Sequence, residues 1–235
     1  MSFIGFPEEG MELLQLNRLQ NSKSFYDEHK EEIRQNVIEP FYALIEEMTP
    51  IMLQIDPLFV TNSSRMVSRI RRDTRFTKDK TMYRANLWLF FRRPRNDMTF
   101  IPAYYFEIHP NYWRFGCWGA CGRGEMAVIR QMIQREDKRF IQAYEAVRSC
   151  PGGVIAGEPY KRLKFPHMNS DYQNWMNRKE LGVDFREEKD FTPLWNGSFV
   201  SPMIQNMQRL APFYSLLLAA QQQAVVRQKD NRSSK

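Results

Sequence analysis

The sequence predicts an α+β fold in which an antiparallel sheet of about four or more strands, drawn from the middle of the chain, is packed by N-terminal, central and C-terminal helices. Two observations predict it. Apolar residues recur at helical spacing before residue 56, again after residue 125, and once more after residue 199. Between residues 66 and 118 the pattern changes to short aromatic and β-branched runs separated by polar breaks.

The elements follow in order. Pro7 opens a first helix, with Glu8 and Glu9 suited to its positive end and Met11, Leu13, Leu14, Leu16 and Leu19 along it. Asn21-Ser22 marks a break, and Ser24 is placed to cap a second helix with Phe25, Tyr26, His29, Ile33 and Val37 on its inner stripe. Pro40 opens or kinks a third helix, whose Phe41, Leu44, Ile45, Met48, Met52 and Ile55 repeat at three and four before Asp56-Pro57 ends it. Met66 to Ile70, Arg84 to Arg92, Met98 to His109 and Tyr112 to Trp118 read as strands, joined at the breaks 93–97 and Pro110-Asn111. Gly119 to Gly124 leads into a helix from about Glu125, and another spans about Lys138 to Val147. From Cys150 to about Leu194 the chain reads as irregular, with a short helix near Tyr172 to Arg178. A last helical stretch runs from Phe199 or Pro202 to about Val226. No repeat or long linker divides the chain, so residues 1–226 are expected to form a single domain followed by a frayed polar tail, 227–235.

Composition narrows the function classes. At 235 residues, 43% hydrophobic and 26% charged, the chain can bury a core without disulfides or a structural metal. No apolar run approaches the ~18–20 residues of a membrane span, and no membrane partner is expected. The first nine residues lack the basic start and apolar stretch of a secretory signal. Cys117, Cys121 and Cys150 form no paired framework and read as reduced thiols, so a cytoplasmic protein is expected. Nothing in the sequence specifies an oligomeric state.

Charge is the strongest local signal. Of the net +7, the segment from Arg65 to Arg95 holds eleven Lys/Arg against two Asp, a local +9. So dense a positive run points to a local anion site. Within it, Arg72, Arg75, Lys80 and Arg84 have the donor chemistry to hold a phosphate or carboxylate, with Asp73 and Asp79 orienting the cations. The bland alternative is a solvated hairpin whose Asp–Arg pairs merely fix the turn.

The residues Arg72-Asp73-Thr74-Arg75-Phe76, Lys78-Asp79-Lys80 and Tyr83-Arg84 resemble the signature of the family called domain of unknown function 2461. The resemblance continues in Ala103-Tyr104-Tyr105, Ile108-His109-Pro110, Ile129-Arg130 and Gly157…Lys161-Arg162 with Lys179, almost the whole chain. Met82 stands where the family usually has proline, and Ala103 where it often has glycine. The resemblance implies an α+β fold and supplies no activity.

Other constellations are weaker. Strand alternation sets Tyr105, Glu107 and His109 on one face, so Glu107 and His109 are candidates for acid–base chemistry, with Tyr83 a nearby proton donor. Lys161 and Arg162 form a second, smaller basic patch that could close over the first. Three dispersed histidines and Cys117-x-x-x-Cys121 without a second pair give no metal set, and Gly119, Gly122 and Gly124 match no nucleotide loop, so no cofactor is expected. Trp88, Phe90, Phe91, Tyr105 and Trp113 could stack bases but more often fill a core. The leading expectation is an anion-binding protein for a phosphorylated or carboxylated small molecule, with enzyme activity open. The alternatives are a nucleic-acid-binding module using the same basic segment, and a purely structural arginine–aspartate network.

Overall fold

The computed structural model describes residues 3–94, 101–119 and 122–233. It is α+β, as the two periodicities require. Helices α1 (Glu8–Gln20), α2 (Lys23–Glu28), α3 (Lys30–Ile33), α4 (Glu39–Ile55) and α5 (Ser63–Met66) come first, with a π-helical turn, Arg34–Ile38, between α3 and α4. Then follow β1 (Leu87–Arg92), β2 (Ala103–His109), β3 (Tyr112–Gly119), α6 (Arg123–Gln134), α7 (Lys138–Arg148), β4 (Val154–Ala156), α8 (Ser170–Met176) and β5 (Leu181–Glu187). Helices α9 (Thr192–Asn196), α10 (Val200–Arg209) and α11 (Ala211–Ser233) complete the chain. The five strands form one antiparallel sheet in the order β1-β2-β3-β5-β4. At its β4 edge Ile155 faces Val183.

Several expectations are corrected. Met66 to Ile70 forms no strand of its own; only Val67 makes an isolated bridge, to Leu89. The second helix is capped by Ser22, whose hydroxyl accepts from the Phe25 amide, not by Ser24. The stretch read as irregular carries β4 and β5. The C-terminal helical stretch breaks at Leu210 into α10 and α11, and α11 runs on past Val226. Residues 95–97 of one expected hairpin break, the start of the Met98–His109 run up to residue 100, Cys121 and the end of the expected tail lie outside the described residues.

The chain forms two compact units, each assembled from separate segments. Unit 1 comprises Met1–Phe91, Tyr105–Phe115 and Arg186–Ile204. Its core is aromatic: Phe6 lies 4.9 Å from Phe41 and 5.8 Å from Phe106, and Phe106 stacks on Phe199 at 5.0 Å, ring centroid to centroid. Ring pairs at these separations add to the gain from area burial. Gly5, at φ +122°, passes so close to the Trp195 carbonyl that a Cβ would collide with it. That approach, with the Phe6 amide donating to the Leu194 carbonyl at 2.9 Å, ties the start of α1 to α9.

Unit 2 comprises Arg92–Tyr104, Gly116–Phe185 and Gln205–Lys235. In it α11 packs on α6 and α7. Trp175 of α8 meets Phe140 at 5.5 Å and Phe213 at 5.6 Å, both edge-on.

Candidate functional site

The basic segment forms an arm of unit 1. The Arg72 amide donates to the Met82 carbonyl at 2.7 Å, the Arg84 amide to the Ile70 carbonyl at 2.9 Å, and Arg71 bridges Tyr83. These contacts close residues 72–82 into a loop. Arg72 Nη1 donates to Asp79 Oδ2 at 2.5 Å, Thr81 Oγ1 at 2.9 Å and the Thr81 carbonyl at 3.2 Å. Asp79 also accepts from the Thr81 amide and hydroxyl. The Thr81 bonds first, and Arg72 after them, hold its carboxyl well below the usual carboxylate range.

Nearer the tip, Arg75 donates from Nε and Nη2 to Asp73, at 3.0 and 2.7 Å. Those side-chain bonds are the main reason that the Asp73 carboxyl is lowered to about 2. Lys80 Nζ donates to the Thr74 carbonyl at 2.8 Å. Phe76 stands 92% exposed beside Arg75.

Helix α1 anchors the base of the arm. Arg18 Nη1 donates to the Tyr83 carbonyl at 3.0 Å and its Nη2 lies 3.6 Å from Asp79. Asn21, in the left-handed region at φ 45°, accepts the Met82 amide on its side chain at 2.7 Å. Tyr83, a suggested proton donor, is buried with its ring stacked on Tyr26 at 5.1 Å.

Arg84 differs from the other arm cations. Its guanidinium lies 4.6 Å from the centre of the Trp88 ring. Its Nε is out of solvent and has no hydrogen-bond partner among the described residues. Burial, then the like charge of Arg72, lowers its pKa, while Glu107 opposes the change.

Beyond Arg84 the sheet carries a polar constellation. Glu107 is buried and accepts from Asn86 Nδ2 and Arg114 Nε, each at 2.6 Å. The Arg114 guanidinium lies 5.6 Å from the Tyr105 ring centre and 5.5 Å from that of Tyr112. His109 stacks flat on Tyr112 at 4.4 Å, and Arg186 lies over the Tyr112 ring at 3.8 Å.

His109 Nδ1 accepts the Asn111 amide at 3.2 Å, which leaves the proton of the neutral ring on Nε2. Burial first, and then Arg186, Arg114 and Arg18, push the His109 pKa below 6.5 against the pull of Glu107. His109 also lines a cavity of about 270 Å³, with Glu8, Met11, Glu12 and Gln15 of α1, and with Ala85, Ile108, Pro110, Phe191 and Trp195.

All of Arg72, Asp73, Arg75, Asp79, Lys80, Arg84, Glu107 and His109 lie in unit 1, and of these Asp73, Arg75 and Lys80 bond within the loop. Lys161 and Arg162 belong to unit 2 and are exposed. In that unit Arg130 donates to the Met176 and Arg178 carbonyls, at 3.0 and 2.6 Å, and to the Tyr160 hydroxyl at 3.2 Å, so its donors hold the backbone after α8. Burial pushes the Cys117 and Cys150 thiols up. Among the described residues no three His, Cys, Asp or Glu side chains are grouped to hold a metal, and no helix is long and apolar enough to cross a membrane.

Residues 9–215 match the family described as conserved hypothetical protein (DUF2461). The chain belongs to this family. No curated protein and no solved structure matches it. Of the residues through which the DUF2461 resemblance was read, Arg72, Asp79, Tyr83, Arg84 and His109 lie in the arm base and the constellation around Glu107.

Reading the sequence missed Arg18, Asn86, Arg114 and Arg186. Alternation along β3 does set Arg114 on the side of Tyr112. Arg18 comes from a helix 65 residues before the carbonyl it holds, and no local signal reaches that far.

Proposed function

We propose that unit 1 binds a small anion, a phosphate- or carboxylate-bearing metabolite, at the guanidiniums of Arg84, Arg114, Arg18 and Arg186 beside His109. Arg84 is the observation that carries this reading. A guanidinium needs acceptors for five N–H groups, and a buried one left unmade costs more than a made one gains. Arg84 has no ion pair among the described residues, and its Nε is sequestered without an acceptor. Packing on Trp88 fixes the plane of its fork, which suits paired hydrogen bonds to a planar carboxylate or to two phosphate oxygens. Arg72 and Asp79 hold the arm on which Arg84 sits. If the bound molecule is turned over as well as held, His109 is the imidazole beside these guanidiniums, and with Nδ1 accepting from Asn111 its Nε2 proton is the one available to donate.

The test is a thermal-shift panel of nucleotides, sugar phosphates and carboxylates, run on the wild type, Arg84→Gln and Arg75→Ala. A ligand at a hundred times its Kd adds about 2.7 kcal/mol. For a chain of this length that raises the midpoint by roughly 5–10 °C. The reading expects a shift that Arg75→Ala keeps and a folded Arg84→Gln loses. No shift with any anion refutes it.

One observation favours a second reading, a single-stranded nucleic acid on the arm. Phe76 offers a bare ring between Arg75 and Lys78, and base stacking on such a ring is worth about 1–3 kcal/mol. Binding to oligonucleotides would then fall with log salt by about 0.7 per phosphate contacted, and Phe76→Ala would weaken it. Salt-independent absence of binding removes this reading.

A further inference from the structure

We infer that the cavity lined by His109 is a binding site of its own, for an uncharged planar amide: one ring or two fused rings with a C=O and an N–H on the edge. The inference does not rest on the anion site and concerns other residues of unit 1.

Charge decides what the cavity refuses. Among the described residues no lysine or arginine lines it, and its charged walls, Glu8 and Glu12, are acidic. An anion entering it would meet carboxylates with no cation to offset them. Both glutamates are exposed and keep their hydration, so they repel an anion without requiring a cation.

The lining decides what it accepts. The rings of Phe6, Phe106 and Phe199 pack on one another in the core of unit 1. Phe191 and Trp195 stand apart from that cluster. Among the described residues each has only the other as a ring neighbour, at 6.1 Å and 27°, and both are half-buried on the cavity wall. Met11, Ala85, Ile108 and Pro110 complete an apolar lining. The segment that carries the two rings is held: Trp113 Nε1 donates to the Asp190 carbonyl at 2.9 Å, the Thr192 amide to Asp190 Oδ1 at 2.9 Å and the Leu194 amide to the Phe191 carbonyl at 2.9 Å. A preformed wall with two aromatic faces suits a flat ring, which stacks without reordering the protein. A dry cavity of roughly 150 Å³ holds benzene, so about 270 Å³ has room for one ring with a substituent or for two fused rings.

Two side chains serve the edge of that ring. Gln15, half-buried on the α1 wall, makes no side-chain hydrogen bond among the described residues and offers both a donor and an acceptor. His109 has one face on Tyr112 and its Nδ1 on the Asn111 amide, which leaves its Nε2–H as a second donor. An amide edge, with C=O beside N–H, matches this set, and a hydrocarbon ring would use neither side chain.

The test titrates benzamide, cyclohexanecarboxamide and benzoate into the full chain and follows the Met11 methyl and Trp195 indole N–H resonances by NMR. Benzamide should give saturable shifts at both. Cyclohexanecarboxamide, which cannot stack, and benzoate, which has the wrong charge, should each bind about tenfold more weakly or worse. Read at Met11, Trp195→Leu should weaken benzamide by about tenfold or more, as the loss of a stacking ring does. Gln15→Leu, at a half-buried helix position where the variant is expected to fold, should weaken it by about fivefold. No saturable shift at Met11 with benzamide overturns the site. Equal binding of the puckered amide overturns the stacking, and equal binding of benzoate overturns the exclusion of anions. Benzamide affinity unchanged in both variants overturns the placement in this cavity. Displacement of bound benzamide by inorganic phosphate overturns the independence from the anion site, whereas failure of every anion to bind leaves this inference standing.

Discussion

Two arginine–carboxylate pairs in unit 1 have the same chemistry and opposite surroundings. Arg75 and Asp73, near the tip of the arm, have side chains 76% and 57% exposed; Arg114 and Glu107, on the sheet, have side chains 32% and 8% exposed. The first pair is largely solvated, so water and salt can replace each partner for the other. In the second, Glu107 has given up its hydration and depends on Asn86 and Arg114. Density of charge along the sequence therefore marks the arm, while the energetic consequence of charge lies where the sheet buries it.

The largest effect that would sharpen this contrast is expected from Glu107. Glu107→Ala leaves Arg114 and Asn86 without their acceptor and should cost about 3–5 kcal/mol in urea unfolding, the range for breaking a buried pair. Glu107→Gln, which keeps an acceptor for Asn86, should cost less. An alanine variant as stable as wild type would break the comparison.

Arg72→Ala comes next. Its side chain is only 16% exposed, and it removes the bonds to Thr81 that hold the arm, so a loss of about 1–2 kcal/mol is expected in the same measurement.

A smaller effect is expected from His109, read as a titration. Its folded pKa lies below 6.5, so the unfolded chain binds the proton more tightly. The resulting stability is fully present above about pH 6.5 and is lost as pH falls through the folded value. NMR titration of the ring should give a pKa under 6.5 that rises when an anion binds beside it. Arg75→Ala should change the melting temperature least of all, within the scatter of a thermal melt. Asp73, lowered to about 2, has whatever it contributes in place above its ordinary value near 3.8 and loses it as pH falls from there through about 2, and at the exposed tip solvent screening keeps that contribution small.

These contrasts also explain how much the sequence could show. Helices α1, α4, α6 and α7 were legible because each has a buried stripe at helical period, and strands β1, β2 and β3 because aromatic and branched residues crowd them, with β1 burying every second residue and β2 buried on both faces. Strand β5 has the alternation too, in Leu181, Val183 and Phe185, but Lys179-Glu180 and Glu187-Glu188-Lys189-Asp190 flank it so closely that it reads as a loop. β4 has only three residues, too few for any period. Arg72, Arg84, Glu107 and His109 were found in the sequence from charge density and strand alternation. Arg18, Asn86, Arg114 and Arg186 were not, because each is a lone polar residue whose partner is set by tertiary structure.

The central claim is that Arg84, and not the arm tip, receives the anion. It is tested most directly by following the arginine Nε–H resonances by NMR as inorganic phosphate and then the best ligand of the thermal-shift panel are added. The account predicts a saturable shift of the Arg84 Nε–H, with the Arg75 resonance unmoved. Saturable shifts at Arg75 with Arg84 silent, or no saturable shift at either, would contradict it.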